Sequence, residues 1–325
     1  MIPMFLQRKD IKKRVIALSK KSKSGLNLGM LFKIFSVGIV LILPLRVYQY
    51  MKIIEGGTGF YAVKNASIPL MYCLLAIFCL IPVALSFSMR KELDIVSPKQ
   101  VRFGEGIAAL LVALTLIINA VQMFSYFSEI YYSFEITQYT PTLSKYLTKS
   151  GGIAVLLESV FAVISMVFFI LLGAAHIKGR SVSEYKFLAI APLGWSICRI
   201  IHRFMRPISY LKVSDLFFEM LMIVFLMMFF LAFAQRLAGI NSCGKGWKIF
   251  GYGIPAATLC LLCFVPRLVV ALIGRSDLLA DKSPIEYCDM AIAVFLISSC
   301  IGRLQDARRN ARIQTNEEKE QAIEE

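Results

Sequence analysis

Histidine is almost missing from this chain. His176 and His202 are the only two in 325 residues, too few for a His-Glu-x-x-His zinc site, and the topology argued below puts them on opposite faces of a membrane, where they cannot share a metal. The sequence also lacks a Gly-x-Ser-x-Gly elbow, a phosphate-binding P-loop and the paired acidic motif of an intramembrane protease. The expectation is a protein that is not an enzyme and holds no cofactor. With no ATPase either, any transport would be secondary, passive or driven by a separate subunit. Charge is scarce too: 18% of residues are charged and 58% are apolar, with mean hydropathy +0.68. A soluble domain of this size would not carry that balance on its surface, so lipid is the main solvent.

Acids are the scarcer sign, 21 against 36 Lys and Arg, for a net charge of +15. In a membrane protein that excess marks cytoplasmic loops rather than a nucleic-acid partner. The first 28 residues lack a signal-peptide core but hold eight Lys and Arg against the single acid Asp10. Two readings stand for this segment: a basic amphipathic helix, with Ile11, Val15 and Leu18 at helical spacing, lying on anionic lipid, or a solvated tail that only sets topology.

The most continuous apolar run is 153–177, long enough to cross a ~30 Å hydrocarbon core as a helix. Seven more follow the same logic, giving spans at 30–48, 67–88, 106–127, 153–177, 187–203, 216–235, 249–273 and 288–303. The fifth is the weakest, interrupted by Pro192, Gly194, Arg199, His202 and Arg203. It is read as broken at Pro192–Gly194 and partly amphipathic; a seven-span alternative makes it re-entrant. Placing the N-terminus inside puts 23 Lys and Arg in cytoplasmic segments and 9 in the opposite loops, which favours both termini inside and eight spans. The fold class expected is all-α, a polytopic transmembrane bundle at 29–303 between a basic segment 1–28 and a charged helical tail 304–325. A tail that fringes the last span as a solvated helix competes with one that docks a partner. ILPLRVYQYM at 42–51 and SICRIIHRFM at 196–205 echo one another, which a 4+4 internal repeat would explain.

Ionisable residues inside spans then fall in one layer near the outer face. Arg46, Arg199 and Arg267 close the outward-running spans one, five and seven; Glu158, Glu219 and Asp289 open the inward-running spans four, six and eight. Asn119, Gln122, Tyr48, Gln49 and His202 share that slab. One reading makes the layer a ligand site for a small molecule or ion, with Arg267, Glu158, Arg46, Arg199, Glu219, Asn119 and Gln122 as its lining and guanidinium forks holding an anionic group. The other makes it a clasp in which arginines snorkel to headgroups and pair with neighbouring acids; for Arg46, Arg199 and Asp289, close to span ends, snorkelling is the stronger expectation. Pro44, Pro192 and Pro266 precede the three arginines and could kink or unwind the helices there. The longest outer loop, 128–152, has Tyr126, Tyr131, Tyr132, Tyr139 and Tyr146 in and beside it, as an interfacial belt or as a lid. Cys260 and Cys263 read as packing, and Cys198 and Cys288 lie near enough to the outer face for a disulfide.

The segment RVYQYMKIIEGGTGFY at 46–61 resembles one in multi-pass membrane proteins of Gram-positive anaerobic bacteria, in which an Arg and a Gln close span one before a Thr-Gly-Phe loop. The resemblance implies a bacterial cell membrane and no particular activity. The leading expectation is therefore a small-solute or ion translocator, or the membrane-binding subunit of one with a partner. The alternative is a non-transporting scaffold or sensor that signals through its cytoplasmic termini.

Overall fold

The structure, a computed structural model, describes residues 29–55, 60–90, 102–137, 142–180, 185–205, 213–239, 246–279 and 286–324, with backbone only at 135–137, 213–214 and 306–324. The basic segment 1–28 lies outside the described residues. Among them there is no strand, only an isolated bridge between Ile54 and Tyr61 that closes the first turn.

Nine α-helices are described: α1 (Gly29–Lys52), α2 (Ser67–Ser88), α3 (Phe103–Thr137), α4 (Leu143–Lys149), α5 (Gly152–Lys178), α6 (Ala191–Met205), α7 (Val213–Leu237), α8 (Trp247–Leu272) and α9 (Tyr287–Glu324). Seven are long and apolar enough to cross a membrane, because a long apolar run in lipid must satisfy its backbone within itself. The chain is an integral, multi-pass membrane protein. Its surface is inverted accordingly: Val40, Leu80 and Leu114 are 71%, 64% and 57% exposed, while Arg46, Glu158, Arg199, Glu219, Arg267 and Asp289 are buried. 

The core is built of small residues and aromatic rings. In α8 the stripe Gly251, Gly253, Ala256 and Ala257 is buried, and small residues let neighbouring helices approach closely. Phe168, Phe169, Phe229, Phe230, Phe233 and Phe295 from α5, α7 and α9 meet mostly edge to face, with centroids 5.2–6.5 Å apart, the arrangement ring quadrupoles favour. α3 and α5 cross still closer, since a Cβ on Gly173 would lie 2.9 Å from the Gly106 carbonyl oxygen.

Three expectations change. The outer loop expected at 128–152 is largely helix, because α3 runs on to Thr137 and α4 fills much of the remainder. Polar Ser, Glu and Tyr residues lower the hydropathy there, but no Gly or Pro occurs between Gly106 and Pro141 to stop the helix. Pro44 and Pro266 do not unwind their helices, and Pro192 lies in the first turn of α6, where its missing N–H costs nothing. Cys198 and Cys288 are both free thiols.

α6 falls on the expected fifth span, 187–203, and is a short helix. Its 15 residues cover about 22 Å, less than a bilayer core. Pro192, Trp195, Ser196, Arg199 and His202 recur at three- and four-residue spacing on its buried face, and Ile197, Ile201 and Phe204 are exposed on the other. α5 and α7 both start at the same end of the bundle, so α6 is the element that carries the chain back between them. At the last helix, α9 continues unbroken from Tyr287 to Glu324, well past its apolar part at Tyr287–Gln305.

Candidate functional site

Arg46 sits in the second half of α1, six residues before its end, and is 1% exposed. Its guanidinium lies between the rings of Tyr50 and Phe218, 4.8 Å from each centroid. One amino group donates to Gln49 Oε1 at 2.9 Å and to the Tyr61 hydroxyl at 3.3 Å, and the other pairs with Asp215. Gln49, a turn away on the same face, in turn donates to the Ser67 carbonyl at 3.0 Å and so ties α1 to the start of α2. Asp215 also accepts from the Tyr50 hydroxyl at 2.7 Å.

From Asp215 the charges alternate. Asp215 lies 3.5 Å from Arg267 of α8, and Arg267 donates to Glu219 of α7 at 2.7 Å. Glu219 lies 3.5 Å from Arg203 of α6, Arg203 pairs with Glu286, and Glu286 pairs with Arg199. Arg199 donates to Asp289 of α9 at 2.8 Å and lies 5.3 Å over the Trp195 ring. Eight side chains, Arg46, Asp215, Arg267, Glu219, Arg203, Glu286, Arg199 and Asp289, thus form one ladder across α1, α7, α8, α6 and α9. Its two ends are sealed: the Arg46, Arg199 and Asp289 side chains are 1–4% exposed. Its middle is less so, with Asp215, Glu219, Arg203 and Glu286 at 12–15%.

Beside the ladder, Glu158 of α5 lies 2.6 Å from His202 Nδ1, both buried, and Tyr126 of α3 covers the imidazole at 6.0 Å. Four guanidiniums and the His202 imidazole thus face five carboxylates. Asn119 joins through Trp195, whose indole N–H donates to Asn119 Oδ1 at 3.3 Å.

The residues singled out from sequence therefore divide. Arg46, Arg199, Arg267 and Glu219 come together in the ladder with Asp289, Glu158 flanks it, and Asn119 supports it. Gln122 does not join: it is exposed on the lipid-facing side of α3, as is Tyr48 on α1. Arg46, Arg199 and Asp289 do not snorkel to headgroups as expected, since partners on neighbouring helices satisfy them inside the bundle. Asp215, Arg203, Glu286 and Tyr50 were missed. The first three lie at or within two residues of a span boundary, a position that could have marked them. No protein-family model matches this chain, and no curated protein or solved structure matches it either.

Proposed function

We propose that this membrane protein is a non-transporting scaffold or sensor, lying in a cell membrane with both termini in the cytoplasm. The observation that carries the reading is the unbroken alternation from Arg46 to Asp289, in which every guanidinium already has a carboxylate. A solute would have to displace a buried partner to bind, and an uncompensated buried charge costs several kcal/mol. The alternation instead clamps five helices at one level. The Lys and Arg excess supports placing that level toward the outer leaflet, with α6 as a short eighth pass. α9 supports the sensing role: Asp289 sits in its first turn, and the same helix runs 38 residues, about 57 Å, into the charged tail. A change in the Arg199 to Asp289 contact would therefore be felt along one continuous rod.

A translocator of small solutes or ions, or its binding subunit, is the second reading, favoured by the partial exposure of the ladder's middle. Single cysteines at positions 158, 267 and 119 of a Cys-free background, challenged with a membrane-impermeant thiol reagent, separate the two. The scaffold predicts no labelling at these positions while control sites in the outer loops react. Labelling at all three would overturn it in favour of a water-filled, outward-open cavity.

A further inference from the structure

At the opposite end of the bundle a second polar cluster is assembled, in which, among the described residues, one carboxylate faces several arginines. The close crossing of α3 and α5 at Gly106 and Gly173 sets the start of α3 against the end of α5, where the Arg102 N–H donates to the His176 carbonyl at 3.3 Å. Glu105, 3% exposed, accepts from Arg102 at 3.0 Å and from the Ser299 hydroxyl of α9 at 2.9 Å. One turn beyond Ser299 stands Arg303, its guanidinium 5.9 Å over the Phe233 ring of α7. A Cβ on Gly302 would make ordinary contact with Arg102 Cδ at 3.5 Å and Glu105 Oε2 at 3.6 Å, so α9 lies against the start of α3 here.

Among the described residues Glu105 is the carboxylate facing Arg303, and Arg102 and Ser299 already engage it, while Arg102 and Arg236 both repel Arg303. Arg303 Nε and His176 Nδ1 are buried and have no hydrogen-bond partner. The ladder at the other end answers each of its arginines with an acid; here a guanidinium edge is left open. A buried N–H of a charged group without an acceptor is costly, and an oxyanion removes that cost at Arg303. Arg102, His176, Arg236 and Arg303 are each partly exposed while Arg303 Nε and His176 Nδ1 are themselves covered, so a headgroup approaching from the membrane surface must part the surrounding side chains to reach those two atoms.

We propose that Arg303, Arg102 and His176 form a binding site for a phosphate-bearing anion, supplied by the headgroup of an anionic phospholipid. Arginine forks suit phosphate oxygens, and basic pockets between helix ends are where such headgroups bind. Phe103 and Ile107, 59% and 44% exposed on α3 beside Arg102, offer an apolar surface for the acyl chains, which a free phosphate would not use. The site draws on no residue of the basic segment 1–28 and does not rest on the scaffold reading.

The test uses the full chain in nanodiscs of phosphatidylcholine alone, of phosphatidylcholine with phosphatidylglycerol, and of phosphatidylcholine with inorganic phosphate in the buffer. Thermal unfolding and lipid retention by native mass spectrometry are read for the wild type, Arg303→Gln, and a full-length Lys12→Gln/Lys13→Gln/Arg14→Gln control. Phosphatidylglycerol at saturating excess should raise the wild-type and control midpoints by about 5 °C. For Arg303→Gln the apparent affinity should fall about tenfold or more. In phosphatidylcholine alone the same variant should unfold no earlier than the wild type, because it loses an unanswered charge. A response to inorganic phosphate that phosphatidylglycerol does not exceed assigns the site to the free anion. Equal responses of Arg303→Gln and wild type, or an equal loss of stability in every lipid, overturn the proposal. If Arg303→Gln does not fold, wild-type retention decides: no preference for phosphatidylglycerol over phosphatidylcholine and no response to phosphate also overturn it.

Discussion

Arg267 and Glu219 form the central rung of the ladder, and a double-mutant cycle between them tests whether the layer is closed. Arg267 is 6% exposed, and its 2.7 Å hydrogen bond to Glu219 is its shortest polar contact. Replacing Arg267 by Met leaves Glu219 with Arg203 at 3.5 Å; replacing Glu219 by Met leaves Arg267 with Asp215 at 3.5 Å. Removal of one partner of a buried pair costs about 3–5 kcal/mol. The longer backup contact places each single variant at the lower end, about 3 kcal/mol. The double variant removes both charges and substitutes apolar volume, so it should lie within about 1–2 kcal/mol of the wild type, since apolar replacement of a buried pair is often nearly neutral. The sum of the singles would be about 6 kcal/mol, leaving a coupling of about 4 kcal/mol, somewhat beyond the usual range for contacting residues because a buried charge is involved. Thermal unfolding of the purified protein in one detergent reads this as a fall of about 6–12 °C for each single variant and a recovery of most of it in the double. If Arg267→Met shifts the midpoint by less than about 2 °C and the double shows no recovery, water already solvates the guanidinium. The closed-ladder reasoning would then be refuted.

Four further outcomes follow from the same geometry. Glu158→Ala, which strips the His202 imidazole of its 2.6 Å partner, should cost about 2–4 kcal/mol, and Glu158→Gln, which keeps an acceptor, clearly less; equal losses in thermal unfolding would contradict the pairing. Gly173→Ala places a methyl 2.9 Å from a backbone oxygen that no rotamer change can move, so α3 and α5 must separate at a cost of about 1–3 kcal/mol, measurable by the same assay. Gly194→Ala meets the Phe161 ring at 2.5 Å, a clash that Phe161→Leu should relieve, so the double variant should be more stable than Gly194→Ala alone. Alkylation of the denatured, unreduced protein followed by peptide mass analysis should find Cys198 and Cys288 both modified, as free thiols require.

The span pattern was legible because lipid leaves an apolar run one backbone solution. The reading of 67–88 coincides with α2, and 153–177 differs from α5 by one residue at each end, where Gly151 and Gly179 take left-handed conformations that bracket the helix. The run after residue 127 was not legible by hydropathy, since Ser, Glu and Tyr dilute it without breaking α3. The polar layer was legible as a level: arginines near the ends of outward-running spans and acids near the starts of inward-running ones must lie at similar depth. Gln122 shares that depth and lies only about 60° around α3 from Asn119, yet Asn119 is buried and Gln122 is exposed; the edge of the buried stripe falls between them, and hydropathy does not mark that edge.

Composition and hydropathy by themselves determined that this chain lives in a membrane as a helix bundle, and the placement of charge determined that a polar layer lies near one end. Both follow from transfer energies of single residues between water and lipid, which need no knowledge of neighbours. Partnership is different. That Arg46 of α1 meets Asp215 of α7, that Arg199 meets Asp289 across 90 residues, and that Arg303 is left with an open edge beside Glu105 depend on which helices are adjacent and how they are rotated. Close crossings such as Gly106 on Gly173 set those neighbours, and packing of side chains far apart in the chain is decided only when the tertiary structure forms.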